Sequence, residues 1–382
     1  MRFAKTAAMF AVVLAAQVAQ AQVPANIEAE LKKIGQIVDP PCTAKLYRPM
    51  MPANDINSSA TPLYPGITLA RDTSFGPNPK DLVDIFTGEK GGASRTVLIY
   101  VPGGAGNKIE QQDREANAFY DNIGRWATKN NMVGVLMQRH PGQGNWDDGG
   151  KDVSLMIQWL QANIAKYKGN PDRMFIWAHS AGNGPLGTYI GRPELYGPKG
   201  VGVKGVVFMS GQFNIAPVQP QGAGGRGAPG AAPGGGANIL AGAGTTCGAG
   251  GAGASDGAIS GPSSVNAGRG AAPAAAGPGA PGGRGRGPVD PETQLMRSSL
   301  PGLKNGKFAI LLAVAELDPG ISNGAQSAFN QALHDELCKD GSSRCPTMLF
   351  ARGESHMSEV FSIDSPDKEV SEPILKWIKK TK

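Results

Sequence analysis

Histidine and cysteine are both scarce in this chain, with four of each among 382 residues. Cys42, Cys247, Cys338 and Cys345 form no C-x-x-C pair, so zinc-ribbon and thioredoxin-type chemistry lack support. Charge is thin as well, at 18% of residues, and the net value of +6 is unevenly spread. Arg2 and Lys5 account for two units, and Arg226, Arg269, Arg284 and Arg286 against Asp256 account for three. The remaining body carries about +1, which gives no support for nucleic acid or an acidic ligand as partner. Long apolar runs are missing too. The strongest one, from about Ala7 to Val18, follows Arg2 and Lys5 and ends in Ala19-Gln20-Ala21. Those are the three parts of an export signal, and the run is too short and alanine-rich for a good membrane span. Residues 1–21 therefore read as a signal peptide cleaved near Ala21-Gln22, in preference to an uncleaved anchor. The expectation is a periplasmic or secreted protein with no stable membrane insertion after cleavage.

Glycine is concentrated instead of absent: residues 219–288 hold 24 of the 55 glycines, with no aromatic residue. A segment with so little apolar surface cannot offset its ordering entropy. It reads as a disordered Gly/Ala/Pro-rich insertion, a tolerated surface expansion in preference to a lid. The body then comprises 22–218 and 289–382, roughly 290 residues, enough for one large domain. In an oxidising compartment disulfides are expected over free thiols. Cys338 and Cys345 flank a turn-rich loop that suits a bridge stabilising by about 2–3 kcal/mol. Pairing of Cys42 with Cys247 follows only by elimination.

Eight apolar segments read as strands: Ile67–Arg71, Leu82–Phe86, Thr96–Val101, Met132–Met137, Met174–Trp177, Gly205–Met209, Phe308–Val314 and Thr347–Phe350. Several are continuous Val, Ile, Leu or Phe runs, as strands buried on both faces require. Between them Val153, Met156, Ile157, Leu160 and Ile164 mark one face of a helix. Ser327–Leu337 and Glu372–Lys379 read as further helices. Alternating strands and helices imply an α/β fold, a mostly parallel central sheet flanked by helices on both faces. Ligands of such sheets bind beyond the carboxyl ends of the strands.

There, after Met174–Trp177, stands Ala178-His179-Ser180-Ala181-Gly182. It matches the G-x-S-x-G elbow that lifts a serine hydroxyl above a sheet, with alanine in the first glycine position. The overlapping Gly182-Asn183-Gly184-Pro185-Leu186-Gly187 fits G-x-G-x-x-G, but the next strand ends in Phe208-Met209-Ser210 without the acid a dinucleotide site needs. Gly103 to Lys108 fails as a P-loop because Ile109 stands where Ser or Thr is required. A nucleophilic serine needs a base, and in this chain order the acid and then the histidine follow it. Only His334 and His356 follow Ser180. His334 falls on a helix, whereas His356 falls in a loop after the last strand, so His356 is the candidate base. Asp318, at the turn before Pro319, is the candidate acid; Glu316 and Asp340 are its competitors. The N–H of Ala181 and the glycine-rich loop Pro102-Gly103-Gly104-Ala105-Gly106 are positioned to stabilise an oxyanion.

Ile99-Tyr100-Val101-Pro102-Gly103-Gly104-Ala105 resembles the HGGG loop of the carboxylesterase and hormone-sensitive-lipase branch of α/β-hydrolases. Asn170-Pro171-Asp172-Arg173, His179-Ser180-Ala181-Gly182 and Glu316-Leu317-Asp318-Pro319 are similar to these enzymes and to bacterial feruloyl-esterase-like proteins. The likeness covers about residues 64–380 without the insertion. It implies the α/β-hydrolase fold, cleavage of a small-molecule carboxylic ester through an acyl-enzyme, and no metal or organic cofactor. It also implies oxyanion donors at Gly104, Ala105 and Ala181. Pro102 and Ala178 depart from the family's His and Gly. Amidases of the formamidase type use the same parts, and a non-catalytic binding protein on this scaffold is the alternative from another class.

Overall fold

The fold is described from a computed structural model that covers residues 22–52, 63–104, 108–140, 145–218, 247, 289–339, 341 and 345–382. The expected signal peptide, Ala105, Asp340 and, Cys247 apart, the Gly-rich stretch 219–288 lie outside the described residues.

All eight expected strands form, and they join one sheet. They are β1 (Ile67–Ser74), β2 (Leu82–Gly88), β3 (Arg95–Val101), β4 (Val133–Met137), β5 (Gly169–His179), β6 (Gly205–Met209), β7 (Ala309–Leu317) and β8 (Thr347–Ser355). Their order across the sheet is β1-β2-β4-β3-β5-β6-β7-β8. The two pairs made by β2 are antiparallel, and every pair from β4 through β8 is parallel. The sequence reading stops several strands short. β5 starts at Gly169, β7 runs through Glu316 to Leu317, and β8 continues through 352–355, which had read as loop. Those extensions carry polar residues that no apolar run reveals, and they are held by pairing with β3, β6 and β8's neighbour β7.

The period of two along each strand divides the core between the faces. Leu98 and Tyr100 of β3 and Phe175 and Trp177 of β5 point to one side. Val97, Ile99 and Val101, with Met174, Ile176 and Ala178, point to the other. The second face receives Val153, Met156, Ile157 and Leu160 from the helix Asp148–Asn163, and Phe329 and Leu333 from Ala325–Cys338. The first receives Ile123 and Trp126 from Asp121–Lys129 and Ile374 and Trp377 from Ser371–Lys380.

Among the described residues two α-helices precede the first strand, Ala25–Ile34 and Pro40–Tyr47, and neither is foreseen from sequence. They belong to the same body: Ile27, Leu31 and Tyr47 are buried in the first core, and the Tyr47 hydroxyl donates to Asp367 at 2.9 Å. Both disulfides are present. Cys42 pairs with Cys247, tying the second helix to the glycine-rich stretch, and Cys338 pairs with Cys345. The two sides of that stretch are bonded to each other. Asn214 donates to the Gln294 carbonyl at 2.6 Å, Ser298 donates to the Ala216 carbonyl at 2.6 Å, and Ser299 N–H donates to the Asn214 carbonyl at 2.8 Å.

Close approach of the helix Asp121–Lys129 to the sheet rests on Gly124. A Cβ there would stand 2.4 Å from a ring carbon of the fully buried Phe86. Gly124→Ala gains about 1 kcal/mol of helix propensity, but overpacking costs about 1–3 kcal/mol. The expected outcome is a net destabilisation of about 1 kcal/mol, read as a lower urea midpoint; an unchanged or higher midpoint would contradict this packing.

Candidate active site

The carboxyl ends of the parallel strands converge on one edge of the sheet. From β5 the chain enters a 3-10 turn, Ser180–Gly182, and then the helix Asn183–Gly191. Ser180 adopts φ +52°, which costs a non-glycine residue about 1–3 kcal/mol. Its surroundings enforce the turn. A Cβ on Gly182 would stand 2.5 Å from the Val101 carbonyl oxygen, and one on Gly211 would stand 2.2 Å from the Ser180 carbonyl oxygen. Ala178 needs no glycine-like freedom, because it lies within β5 and pairs with Val101 and Phe208.

His356 follows the last residue of β8. Its Nε2 is 2.9 Å from Ser180 Oγ and its Nδ1 is 2.5 Å from Asp318 Oδ2. A carboxylate only accepts, so Nδ1 carries the proton and Nε2 accepts from the serine hydroxyl. Asp318 caps the short helix Pro319–Ser322, and its Oδ1 accepts from Gly320 N–H at 2.6 Å. Both carboxylate oxygens are thereby fixed. Glu316 is engaged elsewhere, accepting from Gly353 N–H at 2.7 Å. His334 contacts Asp335 on the helix Ala325–Cys338, remote in chain topology from the β5 turn. Of the expected residues, the structure thus brings together Ser180, His356 and Asp318.

Ala181 sits beside this chain of groups. The Ser180 carbonyl accepts from Asn183 Nδ2 at 2.8 Å, and across the planar trans peptide the Ala181 N–H points the opposite way. Gly104 adopts φ +71°, and its carbonyl accepts from Arg139 Nη2. Arg139 also donates to the Ala181 carbonyl at 3.3 Å, joining the loop after β3 to the turn after β5. Burial pushes the Arg139 guanidinium down to about 10, which leaves it cationic at neutral pH. Ala105 lies outside the described residues. Lys108, which a P-loop would turn toward phosphate, is buried against Asp84 at 3.0 Å and Asp72 at 2.6 Å.

A second layer supports the histidine. His179 Nε2–H donates to the His356 carbonyl at 2.8 Å and lies 3.0 Å from Glu359 Oε1. Ser210 donates to Glu359 Oε2 at 2.9 Å. Burial, with Asp318 nearby, raises the Glu359 carboxyl well above the usual carboxylate range. Burial, with the neighbouring His356, lowers the His179 imidazole well below its ordinary value. Burial thus favours the uncharged form of both groups. Sequence reasoning does not find Arg139, Asn183, Ser210 or Glu359. The only available signals were the three-residue spacing of Glu359 from His356 and the position of Arg139 after a strand.

Residues 83–192 match the BD-FAE family profile. Among curated proteins, 120 residues are 27% identical to a probable isoprenylcysteine alpha-carbonyl methylesterase of Arabidopsis thaliana, covering 29% of this chain and 22% of that one. A 55-residue stretch is 38% identical to an acylcarnitine hydrolase of Mus musculus, covering 14% of this chain and 9% of that one. The chain thus spans less than a quarter of the length of either relative. A thermostable esterase from Pseudomonas putida superposes with a TM-score of 0.52 at 12% identity, covering 94% of this chain and 98% of its own. A truncated carbohydrate esterase from gut microbiota gives 0.51 at 13% identity, covering 87% and 99%. This chain has the α/β-hydrolase fold. Pro102, which opens the loop after β3, is buried, its carbonyl oxygen 2.9 Å from where a Cβ on Gly182 would lie.

Because the Glu359 carboxyl is raised in the fold, folding takes up a proton where the unfolded side chain ionises, above about pH 4.5, and the folded one does not yet. Its contribution to stability therefore falls as pH rises through that value. Glu359→Gln cannot ionise in either state. Its stability relative to the parent is expected to rise as pH rises above about 4.5 in denaturant titrations. A difference independent of pH would mean that Glu359 is ionised in the native protein.

Proposed function

We propose that this chain is a serine hydrolase that cleaves small carboxylic esters. The observation that carries the proposal is the unbroken hydrogen-bonded path from Ser180 Oγ through His356 to Asp318. The family match and the esterase relatives support the same reaction class.

In this reading Ser180 Oγ attacks the ester carbonyl carbon while its proton passes to His356 Nε2. Asp318 holds the Nδ1–H of the resulting imidazolium. The carbonyl oxygen gains negative charge opposite the Ala181 N–H, with further donors from the loop at Gly104 and Ala105. Collapse of the tetrahedral intermediate expels the alcohol, which takes the proton from Nε2. A water then attacks the acyl-serine with His356 as base, releasing the carboxylic acid and restoring the hydroxyl. The strained Ser180 backbone fits a nucleophile that is pre-aimed before substrate arrives. Burial disfavours charge on His179 and Glu359 beside His356, which limits the charge competing with the imidazolium. We read the protein as exported, in keeping with its two disulfides and the pattern of residues 1–21.

The test is hydrolysis of p-nitrophenyl esters of increasing acyl length by the parent protein and Ser180→Ala. The expected result is activity on short chains that falls by about 10⁴–10⁶ in the variant. Equal activity in the variant would refute Ser180 as nucleophile.

A further inference from the structure

The carboxyl end of β4 carries a second cluster of ionisable side chains. His140 follows β4, Asp81 precedes β2, and Asp152 lies on the helix Asp148–Asn163. Because β2 and β4 run antiparallel, with Val83 opposite Met137, the start of one strand adjoins the end of the other. His140 Nε2 stands 3.4 Å from Asp81 Oδ1, and His140 Nδ1 stands 3.5 Å from Asp152 Oδ2. The side chains of His140 and Asp81 are each 3% exposed and that of Asp152 is 16% exposed. One donor atom from each of the three residues lies within 4.8 Å of the other two.

Neither ring nitrogen of His140 makes a hydrogen bond, although the side chain is only 3% exposed. A buried polar atom left so costs about 1–3 kcal/mol, so this ring needs a partner. Asp81 is already oriented for one: its Oδ2 accepts from Asn78 N–H at 2.8 Å, which turns Oδ1 toward the imidazole. One ion can take only one nitrogen of the ring, and with that nitrogen the three donor atoms lie within 4.8 Å of one another, so a small inward shift brings them to the separation of about 3.4 Å between two ligands of a tetrahedral ion. Two carboxylates and a neutral imidazole balance a divalent charge. A small recess lined by Met137, Arg139, Gly149 and Pro185 adjoins His140 and Asp152.

The other group with ligand spacing, His179, His356 and Glu359, is already committed. His356 has both nitrogens bonded to Ser180 and Asp318, and His179 Nε2 is bonded to the His356 carbonyl.

We propose that Asp81, His140 and Asp152 form a binding site for a divalent transition-metal cation of zinc's size, separate from the Ser180 site. Mixed carboxylate and imidazole donors suit zinc-like ions more than calcium or magnesium, which take oxygen ligands in greater number. The ion tethers the segment after β4 to the amino end of β2 and to the helix Asp148–Asn163.

The test is equilibrium dialysis of chelator-stripped protein against Zn²⁺, with bound metal counted and melting temperature followed in parallel. The expected result is about one tight equivalent per chain and a raised melting temperature. Asp152→Asn and His140→Gln weaken binding more than about tenfold and abolish the thermal shift, while His356→Gln keeps both. Asp152 is partly exposed, so its variant keeps the test decisive if the His140 variant fails to fold. No bound equivalent in the parent overturns the proposal. So does an equivalent that survives Asp152→Asn, or one that is lost with His356→Gln.

Discussion

The hydrogen bond from His356 Nδ1 to Asp318 Oδ2, 2.5 Å long, fixes the imidazole on which the geometry of the site depends. With that proton held by the carboxylate, Nε2 has only its lone pair to offer Ser180. Asp318 can hold it because its second oxygen is bound to Gly320 N–H and its backbone leaves β7 at a Pro-started turn. His356 is held from behind as well, through its own carbonyl and the His179 ring. The three groups come from the ends of β5, β7 and β8. Parallel pairing places those ends on one edge of the sheet, so the site is a product of topology before it is one of side chains.

Strain and buried polarity are concentrated at this edge. Ser180 sits at positive φ, two buried ionisable groups, His179 and Glu359, lie beside His356, and a buried arginine links the loops after β3 and β5. Each is unfavourable by itself, by about 1–3 kcal/mol for the backbone strain alone. The two apolar cores on the faces of the sheet offset them, since nearly every residue of β3, β4 and β6, and every residue of β5 from Met174 on, is buried. A rigid scaffold thus carries a locally strained edge.

The strands are legible in the sequence because strands buried on both faces need continuous apolar runs. Val97–Val101 and Phe208 with its neighbours leave no other reading. Ser180, His356 and Asp318 are legible because histidines are few and chain order restricts the pairing. What sequence does not reveal is whatever depends on long-range burial. The helices Ala25–Ile34 and Pro40–Tyr47 show only short apolar patterns and gain their place by packing on the first core. Glu359 looks like any surface acid until Ser210 and His179 are seen around it. The polar ends of β7 and β8 are strands only because they pair with each other.

The most direct test of the account is labelling with a fluorophosphonate, which reacts with a serine hydroxyl activated by a neighbouring base. The account predicts about one label per chain, recovered on the peptide that contains Ser180, and loss of that label in His356→Gln. No label on the folded protein, or a label on another residue, would contradict it.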